Sequence, residues 1–181
     1  MQAPTKPALS SLSLPERVPT VDASNASVVL GKARPLVFVA EDDADLRRML
    51  CESLRDAGYD VLSASTGHEM LLLLTAASRA EVAVPDVIVM DVRMPRCSGL
   101  DVLTALRLAE WKQPVIMITA FGDPSLHETA ASCGASVSLD KPVDSDDLID
   151  IIDVLLRNCG REPAKATWLV SHDEEDPEPQ P

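Results

Sequence analysis

The sequence predicts a doubly wound α/β domain, a five-stranded parallel sheet in the order 2-1-3-4-5 with five helices. Two observations carry that expectation. Between residues 35 and 160, five short strand-like runs alternate with five longer segments whose apolar residues recur at helical spacing. Several of the short runs, such as Val87–Met90 and Val115–Ile118, are continuously apolar, as strands covered on both faces are. Right-handed crossovers between parallel strands then leave few orders open.

Leu36–Ala40, after Pro35, reads as the first strand, and Ala44–Ala57 as the first helix. Leu46, Met49, Leu50 and Leu54 share one face of that helix, and Gly58 stops it. Tyr59–Ala64 is the second strand and Thr66–Ala80 the second helix. Asp86–Met90 is the third strand, and Gly99–Trp111 the third helix. Val115–Thr119 is the fourth strand. Asp123 and Pro124 suit the cap and first position of a fourth helix running to Cys133. Ala135–Leu139 is the fifth strand. The fifth helix, Ser145–Asn158, has acidic residues at its start, Arg157 near its end and Gly160 beyond.

The flanks differ in composition. Residues 1–34 are rich in Pro, Ser and Ala and lack a period, which predicts a disordered arm. Residues 161–181 end in the acidic, proline-rich run Asp173–Pro181 and are expected to be a solvated tail. Trp168–Val170 is its only stretch with burial potential. Too few residues follow the fifth helix for a helix-turn-helix output domain, so no fused output is expected.

A net charge of −13 argues against nucleic acid and anionic membranes as partners. Four prolines break Met1–Val21, which lacks the apolar core of a signal peptide. The longest apolar stretch, around Met70–Leu74, is too short to span a bilayer. The expected location is the cytoplasm. Cys51, Cys97, Cys133 and Cys159 form no CxxC pair and read as small hydrophobes. His68, His127 and His172 have no ligand spacing and read as solvated.

Chemistry enters through convergence. In the expected order, strands one, three, four and five are neighbours, and their C-terminal ends carry Glu41 and Asp42, Asp91, Thr119 and Lys141. Asp91 is the expected nucleophile, because a carboxylate can take a phosphoryl group as an acyl phosphate. Glu41, Asp42 and Asp91 repel one another unless a cation sits among them, and hard oxygen donors suit Mg²⁺. Asp42 and Asp91 are the expected direct ligands, with Glu41 acting through water and the Arg93 backbone carbonyl adding an oxygen. Lys141 would pair with Asp91 before reaction and with phosphoryl oxygens after it. The Thr119 hydroxyl would donate to the same group, with small Ala120 leaving a route in. Pro142 makes a turn at the lysine, and a cis bond there would tighten it.

The segments Val37–Asp43, Met90–Pro95 with Gly99, Ile118–Ala120 and Asp140–Pro142 resemble the response-regulator receiver domains of two-component signalling. The resemblance covers about residues 35–160. It implies a flavodoxin/CheY-like fold and Mg²⁺-dependent phosphorylation of Asp91 by a histidine kinase or phosphotransfer protein. It also implies a readout through the face formed by helix four, strand five and helix five, which would meet a protein effector. In receivers the residues two beyond the nucleophile and two beyond the hydroxyl flank the attacking water; here these are Arg93 and Phe121. Neither is a general base at neutral pH, so slow self-dephosphorylation is expected. One departure stands out. The family's switch aromatic on strand five is replaced by Ser138.

A phosphorelay or phosphate-sink role shares the same chemistry. Haloacid-dehalogenase-type phosphatases also use an aspartyl phosphate, but they need a second aspartate two positions later, where this chain has Arg93. A histidine kinase is excluded by the lack of a Gly-rich nucleotide segment and a dimerising hairpin. The chain is therefore expected to be a phosphoacceptor signalling domain and not an enzyme.

Overall fold

The computed structural model describes residues 34–119 and 124–164. The expected arm, apart from Arg34, and the tail from residue 165 lie outside the described residues, as do Ala120, Phe121 and Asp123. The elements run in strict alternation: β1 Leu36–Ala40, α1 Ala44–Asp56, β2 Asp60–Ala64, α2 Gly67–Ser78, β3 Val87–Asp91, α3 Gly99–Leu108, β4 Val115–Thr119, α4 Pro124–Ser132, β5 Val137–Asp140 and α5 Ser145–Asn158. The strands form one parallel sheet in the order β2-β1-β3-β4-β5, as expected.

Alternation along each strand divides the core into two layers. Phe38, Ala40, Ile88, Met90 and Met117 face α2, α3 and α4, meeting Met70, Leu73, Val102, Leu103 and Ala130. Val37, Val39, Val89, Ile116 and Ile118 face the other way, against Leu50 and Leu54 of α1 and Leu148, Ile152 and Leu156 of α5. β1, β3 and β4 sit in the middle of the sheet and present side chains to both layers, which is why their sequences read as unbroken apolar runs.

Capping side chains hold the helix starts at the carboxyl edge of the sheet. Asp43 accepts from the Asp45 and Leu46 amides, both at 2.9 Å. Ser98 and Asp101 form a reciprocal capping box on α3, and Asp144 caps α5.

The ends of the helices explain where sequence and structure differ. The residue after each C-cap turns left-handed, and the amide beyond it reaches back to a carbonyl of the last turn. Gly58, Gly134 and Gly160 make this turn after α1, α4 and α5. Ala80 and Glu110 make it after α2 and α3, with φ of 59° and 62°. The turn therefore stops those two helices at Ser78 and Leu108, short of the expected Ala80 and Trp111. β5 begins at Val137, two residues later than expected, because Gly134 and Ala135 complete the cap of α4.

At the opposite pole, Arg161 pairs with Asp86 at 2.6 Å, and Asp86 also accepts from the Leu36 amide at 2.8 Å. The start of β1, the start of β3 and the chain beyond α5 are thereby tied together. Arg107 fastens the end of α3 to the α4–β5 turn, donating to the carbonyls of Trp111, Gln113 and Gly134.

Candidate functional site

The register places the chemistry. β1 ends at Ala40, β3 at Asp91, β4 at Thr119 and β5 at Asp140, all at one edge of the sheet. Glu41, Asp42, Asp91, Thr119 and Lys141 accordingly sit together there, as the sequence predicts. Glu41, Asp42 and Asp91 each offer a carboxylate oxygen within 4.8 Å of the others.

Their surroundings are not equivalent. Glu41 is fully buried, Asp91 nearly so, and Asp42 exposed. Lys141 Nζ bridges the two buried carboxylates, donating to Asp91 Oδ2 at 2.7 Å and Glu41 Oε1 at 2.9 Å. The other Asp91 oxygen, Oδ1, accepts from the Arg93 amide at 2.9 Å, which fixes its rotamer. The other Glu41 oxygen, Oε2, is buried with no hydrogen-bond partner among the described residues. An orphaned buried carboxylate oxygen is costly, and the all-oxygen donor set around it fits a hard divalent cation.

Titration behaviour follows from this arrangement. Burial is the largest influence on Glu41 and pushes its carboxyl above the ordinary 4.5; the Lys141 hydrogen bond opposes this, and the charge of Asp91 adds to it. Burial would lower the Lys141 ammonium, but its bonds to Asp91 and Glu41 outweigh that and hold it above the ordinary 10.5. The cluster as a whole thus holds positive charge tightly.

Supporting residues shape the pocket. Gly99 lets α3 start against the end of β3: a Cβ there would lie 2.2 Å from the Asp91 carbonyl oxygen. The Lys141–Pro142 bond is cis. Of the acidic triplet, Asp43 serves as the helix cap while Glu41 and Asp42 face the site. Hydrogen bonds from the Leu46 and Asp45 amides lower the Asp43 carboxyl.

Three features escaped sequence reasoning. Arg47, on the first turn of α1, braces the acidic loop by donating to the Glu41 carbonyl at 2.6 Å. Asp140 accepts from the Thr119 hydroxyl at 3.1 Å. His127, expected to be solvated, meets the same Asp140 oxygen at 2.9 Å. The signal for the Asp140 contact was the strand register, because parallel pairing puts Thr119 opposite Asp140.

A parallel sheet carrying a lysine-bridged acidic pocket at its carboxyl edge is the architecture of a two-component receiver. The family model described as response regulator receiver domain matches residues 37–153, and the chain belongs to that family. The transcriptional regulatory protein PdtaR of Mycobacterium tuberculosis is 38% identical over 122 residues, covering 65% of this chain and 55% of its own length. Nodulation protein W of Bradyrhizobium diazoefficiens is 35% identical, covering 66% of this chain and 50% of its own. The chain thus spans about half the length of these curated relatives. The receiver domain of Francisella response regulator 1452 superposes with a TM-score of 0.62 at 28% identity, covering 70% of this chain and 99% of its own. Chemotaxis response regulator CheY4 of Vibrio cholerae gives 0.59 at 29% identity, covering 68% and 100%. Among the described residues, no helix is long and apolar enough to cross a membrane.

Proposed function

We propose that residues 35–160 act as a phosphoacceptor switch, taking a phosphoryl group on Asp91 from a histidine kinase or phosphotransfer protein in the cytoplasm. The observation that carries this reading is the Lys141 bridge. A buried aspartate at the end of a central strand is held by a cation that can follow the charge onto an incoming phosphoryl group.

In the transfer, an Asp91 oxygen forms a bond to phosphorus while the P–N bond of a phosphohistidine breaks, and the imidazole leaves with the bonding pair. Phosphoryl transfer of this kind is catalysed by positioning and electrostatics. Lys141 moves its hydrogen bonds to the phosphoryl oxygens, and the Thr119 hydroxyl donates to one of them. Asp42 and Asp91 would ligate Mg²⁺ directly, with Glu41 through water and the Arg93 carbonyl as a further oxygen. When bound, the ion offsets carboxylate charge that would otherwise repel the phosphate. Phosphorylation then alters the α4–β5–α5 face, which meets a protein effector. The domain assists only its own phosphorylation and dephosphorylation and turns over no separate substrate.

The test is labelling by acetyl phosphate with and without EDTA. Wild type labels only with Mg²⁺, and Asp91→Ala does not label. Undiminished labelling of Asp91→Ala overturns the acceptor assignment, and labelling that survives EDTA overturns the metal requirement. Capture of a partner only by the phosphorylated form distinguishes a switch from a phosphate sink.

A further inference from the structure

We propose that Asp140 and His127 form the relay that carries phosphorylation from Thr119 to α4, in place of the strand aromatic that this chain lacks. The inference rests on the reading of Asp91 as the acceptor.

The argument begins with one proton. A threonine hydroxyl donates a single hydrogen bond. Thr119 is fully buried, and Oγ1 donates to Asp140 Oδ1 at 3.1 Å. A hydroxyl that donates to a phosphoryl oxygen on Asp91 can no longer donate to Asp140. The two bonds exclude each other, so phosphorylation changes the partners of Asp140.

Asp140 passes that change outward. The oxygen that accepts from Thr119 also meets His127 Nε2 at 2.9 Å, and His127 lies on the first turns of α4. One carboxylate oxygen thus ties the end of β4 to the N-terminal half of α4. The other end of α4 is held separately. Ala130 is fully buried, and Arg107 grips the Gly134 carbonyl at 2.9 Å. Freed from Thr119, the partly exposed Asp140 carboxylate loses one of the two contacts that hold its position, so the His127 contact loosens and the start of the helix is released while its end stays anchored. Asp140 and Lys141 are consecutive, and Lys141 contacts Asp91 directly. The two residues report the same pocket in two directions.

Ser138 cannot do this work. It sits opposite Met117 on β5, half-buried, with a side chain too short to change place as a ring does. The device is built instead from a carboxylate and an imidazole, both partly open to water, with side-chain exposures of 42% and 32%. Neither needs a cavity to move into.

The test uses the full chain with acetyl phosphate and Mg²⁺, reading both Asp91 labelling and amide hydrogen exchange over residues 124–132. In wild type, labelling speeds exchange in α4. Asp140→Ala removes the competitor for the Thr119 proton. It should raise the labelled-to-unlabelled ratio at limiting donor roughly fivefold, the worth of one ordinary hydrogen bond. Its α4 should exchange fast even without phosphate. Asp140→Asn keeps an acceptor oxygen and should restore wild-type labelling. If Asn instead labels like Ala, charge and not the hydrogen bond governs, and the relay is overturned. His127→Ala should label like wild type while α4 exchange no longer responds to phosphorylation. A full α4 response in His127→Ala, or wild-type labelling in Asp140→Ala, overturns the relay alone. Failure of wild type to label overturns the acceptor reading and the relay with it.

Discussion

Lys141→Ala removes the cation bonded to the buried carboxylates of Asp91 and Glu41, and its effect can be sized from the geometry. The bonds lost are charge-assisted, at 2.7 and 2.9 Å. Each such bond contributes about 1.5–3 kcal/mol, and removing one partner of a buried ionic cluster costs about 3–5 kcal/mol. The lysine side chain is 28% exposed, so water recovers part of this, and the low end, about 3 kcal/mol, is expected at neutral pH. The loss should depend on pH. The folded-state carboxyl of Glu41 is raised above 4.5, so the native state holds that proton more tightly than the unfolded chain. Stability from this group is therefore greatest below pH 4.5 and falls as pH rises through the folded value. Without Lys141 that window extends upward, and the deficit should be small near pH 5 and full at pH 8. Wild type keeps the Lys141 contribution below pH 10.5 and loses it as pH rises past the raised ammonium value. Mg²⁺ should repair the variant. A ligand at a hundred times its Kd stabilises by about 2.7 kcal/mol, close to the whole deficit. Loss of a neighbouring positive charge should also tighten Mg²⁺ binding by roughly fivefold, from about 1 kcal/mol of repulsion removed. The assay is urea denaturation at several pH values with and without Mg²⁺, with calorimetry for affinity. Weaker Mg²⁺ binding in the variant, or an unchanged urea midpoint without Mg²⁺, would refute the reasoning.

Gly99→Ala should cost about 1–3 kcal/mol and slow labelling of Asp91, because its Cβ would meet the Asp91 carbonyl oxygen at 2.2 Å; thermal unfolding and acetyl phosphate kinetics check this. Tyr59→Phe should lose about 2 kcal/mol in urea, the worth of the buried hydrogen bond from Tyr59 to the Asp153 carboxylate. Burial and Asp153 hold the Tyr59 phenol well above its ordinary 10.0, so wild-type stability should fall as pH rises beyond 10 while the variant lacks that decline. Finally, Arg93→Asn combined with Phe121→Glu should shorten the lifetime of the phosphorylated protein, measured as decay after donor removal; decay no faster than wild type would show that these side chains do not shield the acyl phosphate.

What the sequence made legible tracks how local the determining physics is. β1, β4 and α5 begin and end at the expected residues, because apolar runs and capping residues mark them. α2 and α3 end early because Ala80 and Glu110 adopt a left-handed turn that side-chain type does not advertise. The meeting of Glu41, Asp42, Asp91, Thr119 and Lys141 was readable, since strand order alone brings strand ends together. Their inequality was not. Complete burial of Glu41 and its orphaned oxygen depend on packing from several elements. His127 looked solvated because its partner lies 13 residues away across a turn, with no motif linking the two.

The carboxylates that cap the helices have a kinetic consequence. Each strand hands over to its helix at the edge where the pocket opens, so Asp43, Asp101 and Asp144 stand around the same rim as Asp42. Asp45, Asp146 and Asp147 lie on the adjoining first turns. This ring makes a field that draws cations in and turns small anions away, within a Debye length of roughly 8 Å at physiological salt. Small anions meet a repulsive mouth, whereas cations such as Mg²⁺ are drawn toward it. The side chains that start the helices thereby also set which charges approach Asp91 from the solvent.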